Sequence, residues 1–401
     1  MTGDLSAAVR AAVGAVTDPE LRRPLAELDM VRGVEVDGTV AHVHIALTIV
    51  GCPAADRISR EVTDAAASVP GIDEVDLSVG VMTPAERQAL TERLRGGRTA
   101  RQMPFGPDSL TRVVAVTSGK GGVGKSTLTA NLAVALAARG LAVGLIDADV
   151  HGFSIPALLG LTDDDGRPPA PTRIDDLMLP PVAYGVKTIS IGMFLPRDQP
   201  ASAAVAWRGP MLHRTVSQFL TDVFFGDLDI LLIDMPPGTG DVAISVGQLL
   251  PHADVLVVTT PQTAASDVAV RSGLVAAQTG QRVIGVVENM AAMTLPDGTT
   301  LDLFGSGGGA AVAAALSAPA GPDAGGADGG GAEAAGPNAG AVPLLASVPL
   351  SPALRRGGDA GVPVVVAEPT DPAAVQIARV ADALAMHPRG LARRPLPFTP
   401  R

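Results

Sequence analysis

Three lysines occur in this 401-residue chain, Lys120, Lys125 and Lys187, although Lys and Arg together number 30. Two of them lie in one glycine-rich run, Ser118-Gly119-Lys120-Gly121-Gly122-Val123-Gly124-Lys125-Ser126-Thr127. Nearly every other cationic position has accepted arginine, so this loop requires something that a guanidinium does not supply. Gly119 to Ser126 fits the phosphate-loop pattern of Gly, four residues, then Gly-Lys-Ser. Its glycines let backbone N–H groups crowd around phosphates, and a compact ammonium reaches between β- and γ-oxygens where a planar guanidinium is too wide. The run follows an apolar strand and opens a helix, whose N-terminal dipole also favours anions. The pattern therefore assigns the β- and γ-phosphates to Lys125, Mg²⁺ to Ser126 and support of the α-phosphate to Thr127.

Acidic residues at later strand ends complete such a site. Asp234 closes Leu231-Leu232-Ile233-Asp234 and matches the carboxylate that holds Mg²⁺, often through water. Asp147 and Asp149 end the strand that follows the phosphate-loop helix. If that strand persists, a one-residue separation points both carboxylates the same way, with Asp147 in the Mg²⁺ shell and Asp149 on the attacking water. Either one alone also suits a turn cap. Asn289, one of three asparagines, ends a strand in Glu288-Asn289-Met290.

The elements that must position these residues show in the hydrophobic pattern. From Thr111 onward, short Val/Ile/Leu runs alternate with helical stretches: Arg112 to Thr117, Leu141 to Ile146, Lys187 to Ile191, Asp229 to Ile233, Ala253 to Thr259 and Val283 to Val287. Helices start near Lys125, Pro210, Asp241 and Ala265. Continuous apolar strands separated by helices predict an α/β phosphate-loop domain over 111–388, with a mostly parallel sheet covered by helices on both faces. A small α/β domain over residues 1–100 precedes it. There a helix near Leu5 to Val16 leads to strands at Val31 to Val36 and Ala41 to Ile49 joined by an Asp37-Gly38 turn, then a helix near Ala54 to Ser68 and a strand near Asp73 to Val79. Residues 101–110, with Pro104, Gly106 and Pro107, read as a linker, 317–341 as a mobile Ala/Gly/Pro-rich insert and 389–401 as a flexible tail. Structure is expected to resume at Leu344 to Leu350 and Val364 to Ala367, with a last helix near Pro372 to Met386.

A net charge of −11 and a pI near 5.0 argue against a nucleic-acid surface. No uninterrupted apolar run is long enough to span a membrane, the first residues lack signal-peptide order, and prolines in the last residues rule out an amphipathic membrane helix. A cytoplasmic protein without nucleic-acid or membrane partners is expected. The single cysteine, Cys52, excludes an intrachain disulfide and any all-cysteine metal site within one chain. Cys52 stands between Gly51 and Pro53, after a strand and before a helix. That place suits a thiolate stabilised by a helix N-terminus, and equally a buried inert thiol. His42 and His44 share one strand face, a spacing that admits a metal but is better read as two solvent-facing histidines.

Lys120 makes the loop resemble the deviant phosphate loop of ATPases related to MinD, ParA and the nitrogenase iron protein. That resemblance implies ATP as the nucleotide, a homodimer in which Lys120 reaches the partner's ATP, and an Asn289 that reads the adenine edge. Further stretches resemble the Mrp (ApbC-type) iron-sulfur cluster carrier ATPases: Asp147-Ala148-Asp149-Val150-His151-Gly152, Gly185 to Gly192, Trp207-Arg208-Gly209-Pro210-Met211, Asp234 to Asp241, Thr259-Thr260-Pro261-Gln262, Glu288-Asn289-Met290 and Phe304-Gly305. Trp207 and Lys187 are read as packing and strand-edge residues. The first domain, with Asp18-Pro19-Glu20 and Gly51-Cys52-Pro53, resembles the small iron-sulfur assembly domain fused in front of such ATPases. One departure stands out. The family carries Cys-Pro-x-Cys shortly after Glu-Asn-Met, two such pairs holding a bridging cluster in a dimer. Here that segment is Leu295-Pro296-Asp297-Gly298, without a thiol.

The resemblance implies a homodimeric, ATP-hydrolysing carrier that takes clusters from assembly proteins and transfers them to apoprotein clients, with Cys52 the sole cysteine ligand this chain offers. A nucleotide-gated adaptor that holds no cluster is the alternative kept open by the missing pair, and a MinD/ParA-like positioning ATPase is a third.

Overall fold

A computed structural model describes residues 2–49, 52, 54–96, 103–150, 152–195, 209–295, 297–318 and 341–386. The chain opens with α1 (Thr2–Ala15), β1 (Val31–Asp37), β2 (Val40–Leu47), α2 (Ala55–Ala67), β3 (Glu74–Val81) and α3 (Pro84–Arg95). It continues through β4 (Arg112–Ser118), α4 (Lys125–Ala137), β5 (Val143–Asp147), α5 (Ile155–Leu158), β6 (Thr172–Ile174), β7 (Leu177–Leu179), β8 (Val182–Ala183) and β9 (Val186–Ser190). Next come α6 (Gly209–Thr221), β10 (Ile230–Asp234), α7 (Asp241–Leu249), β11 (Asp254–Thr259), α8 (Thr263–Gln278) and β12 (Arg282–Ala291). The last elements are β13 (Met293–Thr294), β14 (Thr300–Leu301), α9 (Gly308–Ser317), β15 (Leu344–Pro349), α10 (Pro352–Ala360), α11 (Val364–Ala367) and α12 (Pro372–Ala385).

The chain divides into two compact units. The larger comprises Met103–Ala170, Ala183–Leu220 and Asp227–Arg401. Its eight-stranded sheet has the order β15-β12-β11-β4-β10-β5-β9-β8, with parallel pairing from β15 through β9. Strands β4, β5, β9, β10 and β11 are buried along nearly their whole length, which is why their sequences are unbroken apolar runs rather than alternating ones. Parallel strands deliver their C-terminal ends to one edge of a sheet, so the loop after β4 and the acids ending β5 and β10 converge there. Helix α9 extends through Ser317, and the rest of the expected insert, 319–340, lies outside the described residues, as does the tail 389–401.

The smaller unit comprises Met1–Gln102 together with Pro171–Val182 and Thr221–Gly226. Its sheet has the order β1-β2-β3, the first pair antiparallel around Gly38 and Thr39 and the second parallel. The sequence reading leaves out α3, although the chain signals it locally. Thr83 caps it reciprocally with Glu86, and Pro84 occupies its first turn.

The pattern also leaves unplaced the β6–β7 hairpin, which lies inside the 111–388 span yet belongs to the smaller unit. Ile174, Leu177, Leu179 and Phe224 are buried in the same cluster as Val9, Leu25, Ile45, Ile58 and Leu90. Ion pairs between Arg95 and Asp176 at 2.6 Å and between Arg87 and Asp175 at 3.9 Å tie the hairpin turn to α3. Leu179→Ala, at a position 1% exposed, is expected to destabilise this unit by about 2–5 kcal/mol. Urea unfolding followed by alkylation of Cys52 would measure it. An unchanged midpoint would contradict the hairpin's place in this core.

Candidate nucleotide site and the surroundings of Cys52

Strand β4 ends at Ser118, and the glycine-rich loop wraps into α4, whose N-cap Gly124 takes the left-handed conformation. Gly119 is required by close approach: a Cβ there would overlap the α8 backbone at Val268 and Ala269. The loop is therefore gripped between two backbones before any ligand is considered.

Asp234 is the hub of the site. Its carboxylate is fully buried, and Oδ2 lies 2.8 Å from Lys125 Nζ and accepts from Ser126 Oγ at 2.6 Å. Thr129 Oγ1 is 2.9 Å from the other oxygen and 2.8 Å from the Lys125 carbonyl. Lys125 also donates to Ser126 Oγ at 3.1 Å and is 5% exposed. These distances join Lys125, Ser126 and Asp234, which the sequence analysis selects from segments more than a hundred residues apart. Thr129 is not among the residues the phosphate-loop pattern selects; its signal in the sequence is its place one helical turn after Lys125 on α4.

Asp147 sits directly opposite Asp234 in the β5–β10 register and opposite Ser190 in the β5–β9 register. It is fully buried, and burial, with the Asp234 charge second, pushes its carboxyl up to about 7. The Ser190 hydroxyl, donating at 3.0 Å, and the nearby Lys125 charge act in the opposite direction. Ser190 lies in the Gly185 to Gly192 stretch that the resemblance picks out, but nothing in the sequence joins it to Asp147.

Asp149 does not continue the strand. Strand β5 stops at Asp147, whose Oδ1 accepts from the Asp149 N–H at 3.2 Å and turns the chain. The premise that alternation aims both carboxylates alike is thereby corrected. Asp149 Oδ1 accepts from Gly152 N–H at 3.1 Å, the turn-capping geometry.

Lys120 Nζ donates to Gln262 Oε1 at 2.9 Å, at the exposed start of α8. Thr127 contributes its carbonyl to Asn131 Nδ2 at 2.9 Å. Asn289 is buried beside the loop and donates from Nδ2 to the Val123 carbonyl at 2.9 Å. Gly121 lies against Pro237, and Gly122 takes a positive φ of 77°. His151 and Trp207-Arg208 lie outside the described residues.

The cysteine surroundings are less favourable to metal chemistry than its position suggests. Cys52 is 6% exposed, and burial pushes its thiol up to about 11. The amides of Ala54 and Ala55 at the start of α2 pull downward, but burial, the largest cause, with the Glu20 and Asp18 carboxylates behind it, outweighs them. Glu20 Oε2 is 3.9 Å from Sγ, and Glu20 Oε1 accepts from Thr172 Oγ1 of the hairpin at 2.9 Å. Gly51 and Pro53 lie outside the described residues. His42 pairs with Asp76 at 3.0 Å on an exposed face. Among the described residues, no group of three or more His, Cys, Asp or Glu side chains is placed to hold a metal ion. Leu295 and Gly298 close the turn of the β13–β14 hairpin, Gly298 N–H donating to Leu295 O at 2.9 Å.

A family model described as the NUBPL iron-transfer P-loop NTPase matches residues 109–385. The chain belongs to that family. A second model, for an iron-sulfur cluster assembly protein, matches residues 6–79 of this NUBPL-type NTPase and so encloses Cys52. A Mycobacterium tuberculosis protein named iron-sulfur cluster carrier protein is 52% identical over 401 residues, covering 99% of this chain and 98% of that protein. A Bacillus subtilis protein of the same name is 38% identical over 314 residues, covering 78% of this chain and 85% of its own length. Among solved structures, a nucleotide-binding protein of Archaeoglobus fulgidus in complex with ADP is 27% identical, with a TM-score of 0.44, covering 73% of this chain and 98% of that one. No described helix of this NUBPL-type NTPase is long and apolar enough to cross a membrane.

A thiol raised to about 11 and shielded from solvent should react slowly with iodoacetamide at pH 8, at least tenfold slower in the native than in the urea-unfolded chain. The rate should climb as pH passes 9 and approaches 11. Equal rates in native and unfolded protein would contradict the burial of Cys52.

Proposed function

We propose that this chain binds Mg²⁺·ATP at residues 119–127, hydrolyses it as a homodimer, and uses the nucleotide cycle to carry iron-sulfur clusters from assembly proteins to apoproteins. The observation that carries the reading is the 2.8 Å Lys125–Asp234 pair with Ser126 on the same carboxylate, inside a chain matched end to end by a relative named as a cluster carrier. Lys125 would exchange Asp234 for the β- and γ-phosphates. The oxygens of Ser126, Asp234 and Asp147 are hard donors that fit Mg²⁺, which when bound neutralises developing phosphoryl charge. Asp149 would orient the attacking water, and Lys120, whose ammonium donates to Gln262 at the exposed start of α8, would exchange that contact for the partner's ATP.

The cluster is cargo, and the described residues do not form a cage for it. Leu295 and Gly298 offer no thiolate, and Cys52 is protonated at neutral pH in its buried setting. A cluster held by this chain would therefore be labile, shared with a partner or small thiol, and dependent on opening of the Cys52 surroundings. The same observation favours a second reading, in which the chain is a nucleotide-gated adaptor that holds no cluster. Anaerobic reconstitution with iron and sulfide, with iron counted per dimer in parent and Cys52→Ser protein, separates the two. A cluster lost in Cys52→Ser supports the carrier, a stable cluster in Cys52→Ser overturns Cys52 as ligand, and none in either supports the adaptor.

Two lysine variants test the nucleotide half. Lys125→Ala should lower ATP turnover by about 100-fold or more, because it removes the buried cation on which phosphate charge would rest. Turnover near the parent value would sink the site assignment. Lys120→Ala should keep ATP affinity within a few-fold yet lose hydrolysis and ATP-dependent dimerisation, measured by calorimetry and light scattering. Normal hydrolysis in that variant would remove Lys120 from the reaction.

A further inference from the structure

Asn289 is buried beside the phosphate loop, and four local features hold it there. Its Nδ2 donates to the Val123 carbonyl at 2.9 Å across 166 residues of sequence. A Cβ on Gly124 would overlap that same nitrogen, so glycine at the helix N-cap is what lets the amide come close. The strand end bearing Asn289 is itself clamped: Glu288 accepts from Gly309 N–H at 2.8 Å through one oxygen and from Ser347 Oγ at 2.9 Å through the other. Immediately afterwards Met290 takes a positive φ of 57°, and the pairing of β12 with β15 shifts register between Glu288 and Ala291. The regular pairing of β12 is thus interrupted directly beyond Asn289, whose side chain stays bonded to the loop.

The geometry points to Asn289 as a positioning residue of the phosphate loop, which turns the Val123–Gly124 peptide so that the loop presents its amide to phosphate. In a planar trans peptide the carbonyl and the following N–H point in opposite directions. A donor that holds the Val123 carbonyl on the Asn289 side therefore directs the Gly124 N–H to the other side. Without that donor the peptide is free to flip and offer a carbonyl dipole to an anion. An amide is required at residue 289 because only a donor satisfies a carbonyl, and a carboxylate of the same shape would oppose it. Glu288 secures the arrangement from behind. This inference rests on the proposed nucleotide site, but it assigns Asn289 to the phosphates, where the resemblance assigns it to the adenine.

The test uses the full chain with two probes, Mg²⁺·ATP and base-free inorganic tripolyphosphate, titrated calorimetrically into the parent, Asn289→Asp and Asn289→Ala. Loop positioning predicts that both variants weaken both probes by similar factors, about tenfold or more, with the isosteric aspartate worse than alanine. A packing role predicts the reverse order, since aspartate preserves volume, and that order would overturn the inference. Weaker ATP with unchanged tripolyphosphate would also overturn it, in favour of a base contact, as would no change in either. Should the aspartate variant unfold, Asn289→Ala and Glu288→Gln, compared with the same two probes, keep the question decidable: a loss for ATP alone in either rejects loop positioning. A parent that binds neither probe would overturn the nucleotide site itself, and the inference with it.

Discussion

A carboxylate with no solvent access, Asp234, is the constraint around which the larger unit is arranged. A buried charge is tolerable only when it is paired and hydrogen-bonded, and removing one partner of such a pair costs about 3–5 kcal/mol. Lys125, Ser126 and Thr129 supply those partners, all from the first turns of α4. For them to arrive together, β10 must lie next to β4 in the sheet, and the loop after β4 must be thin enough to pass α8 at Gly119. The same groups that neutralise Asp234 are those that a magnesium-bound nucleotide would claim. The site is therefore internally satisfied, and ligand binding in the proposed cycle exchanges partners without exposing a bare charge.

Asp147 extends that logic sideways. Two carboxylates in register on adjacent buried strands cannot both ionise cheaply, and burial together with the Asp234 charge raises the Asp147 carboxyl to about 7. Ser190 on the next strand and the Asp149 amide supply donors to it. The row Asp234, Asp147, Ser190 crosses three strand ends, so displacement of β5 or β9 would be felt at the carboxylate bound to Lys125.

The smaller unit follows a different principle. Its core is completed by a hairpin that the chain contributes from between β5 and β9, and that hairpin also holds Glu20 beside Cys52. Both added segments run directly on into strands of the larger sheet, residues 171–182 toward β9 and residues 221–226 toward β10. In the larger unit, Leu295 and Gly298 close the β13–β14 hairpin through backbone hydrogen bonds that need no metal.

Local rules made much of this protein readable from its residues. The glycine and lysine spacing, the unbroken apolar strands and the acid closing β10 each depend on a few neighbouring positions, because backbone conformation and burial periodicity are short-range properties. The Thr83–Glu86 cap of α3 is equally local. What only the tertiary structure decided concerns environment. The turning of Asp149 away from its strand, the pull of Glu20 and Asp18 on Cys52, the passage of the β6–β7 hairpin into the smaller unit and the grip of Asn289 on Val123 all involve partners that the sequence separates or gives no reason to join. Thr172 reaches Glu20 across 152 residues, and Asn289 reaches Val123 across 166. The charge state of a side chain and the direction of its hydrogen bonds are set by whatever packs against it, and packing is settled only when the whole chain has closed.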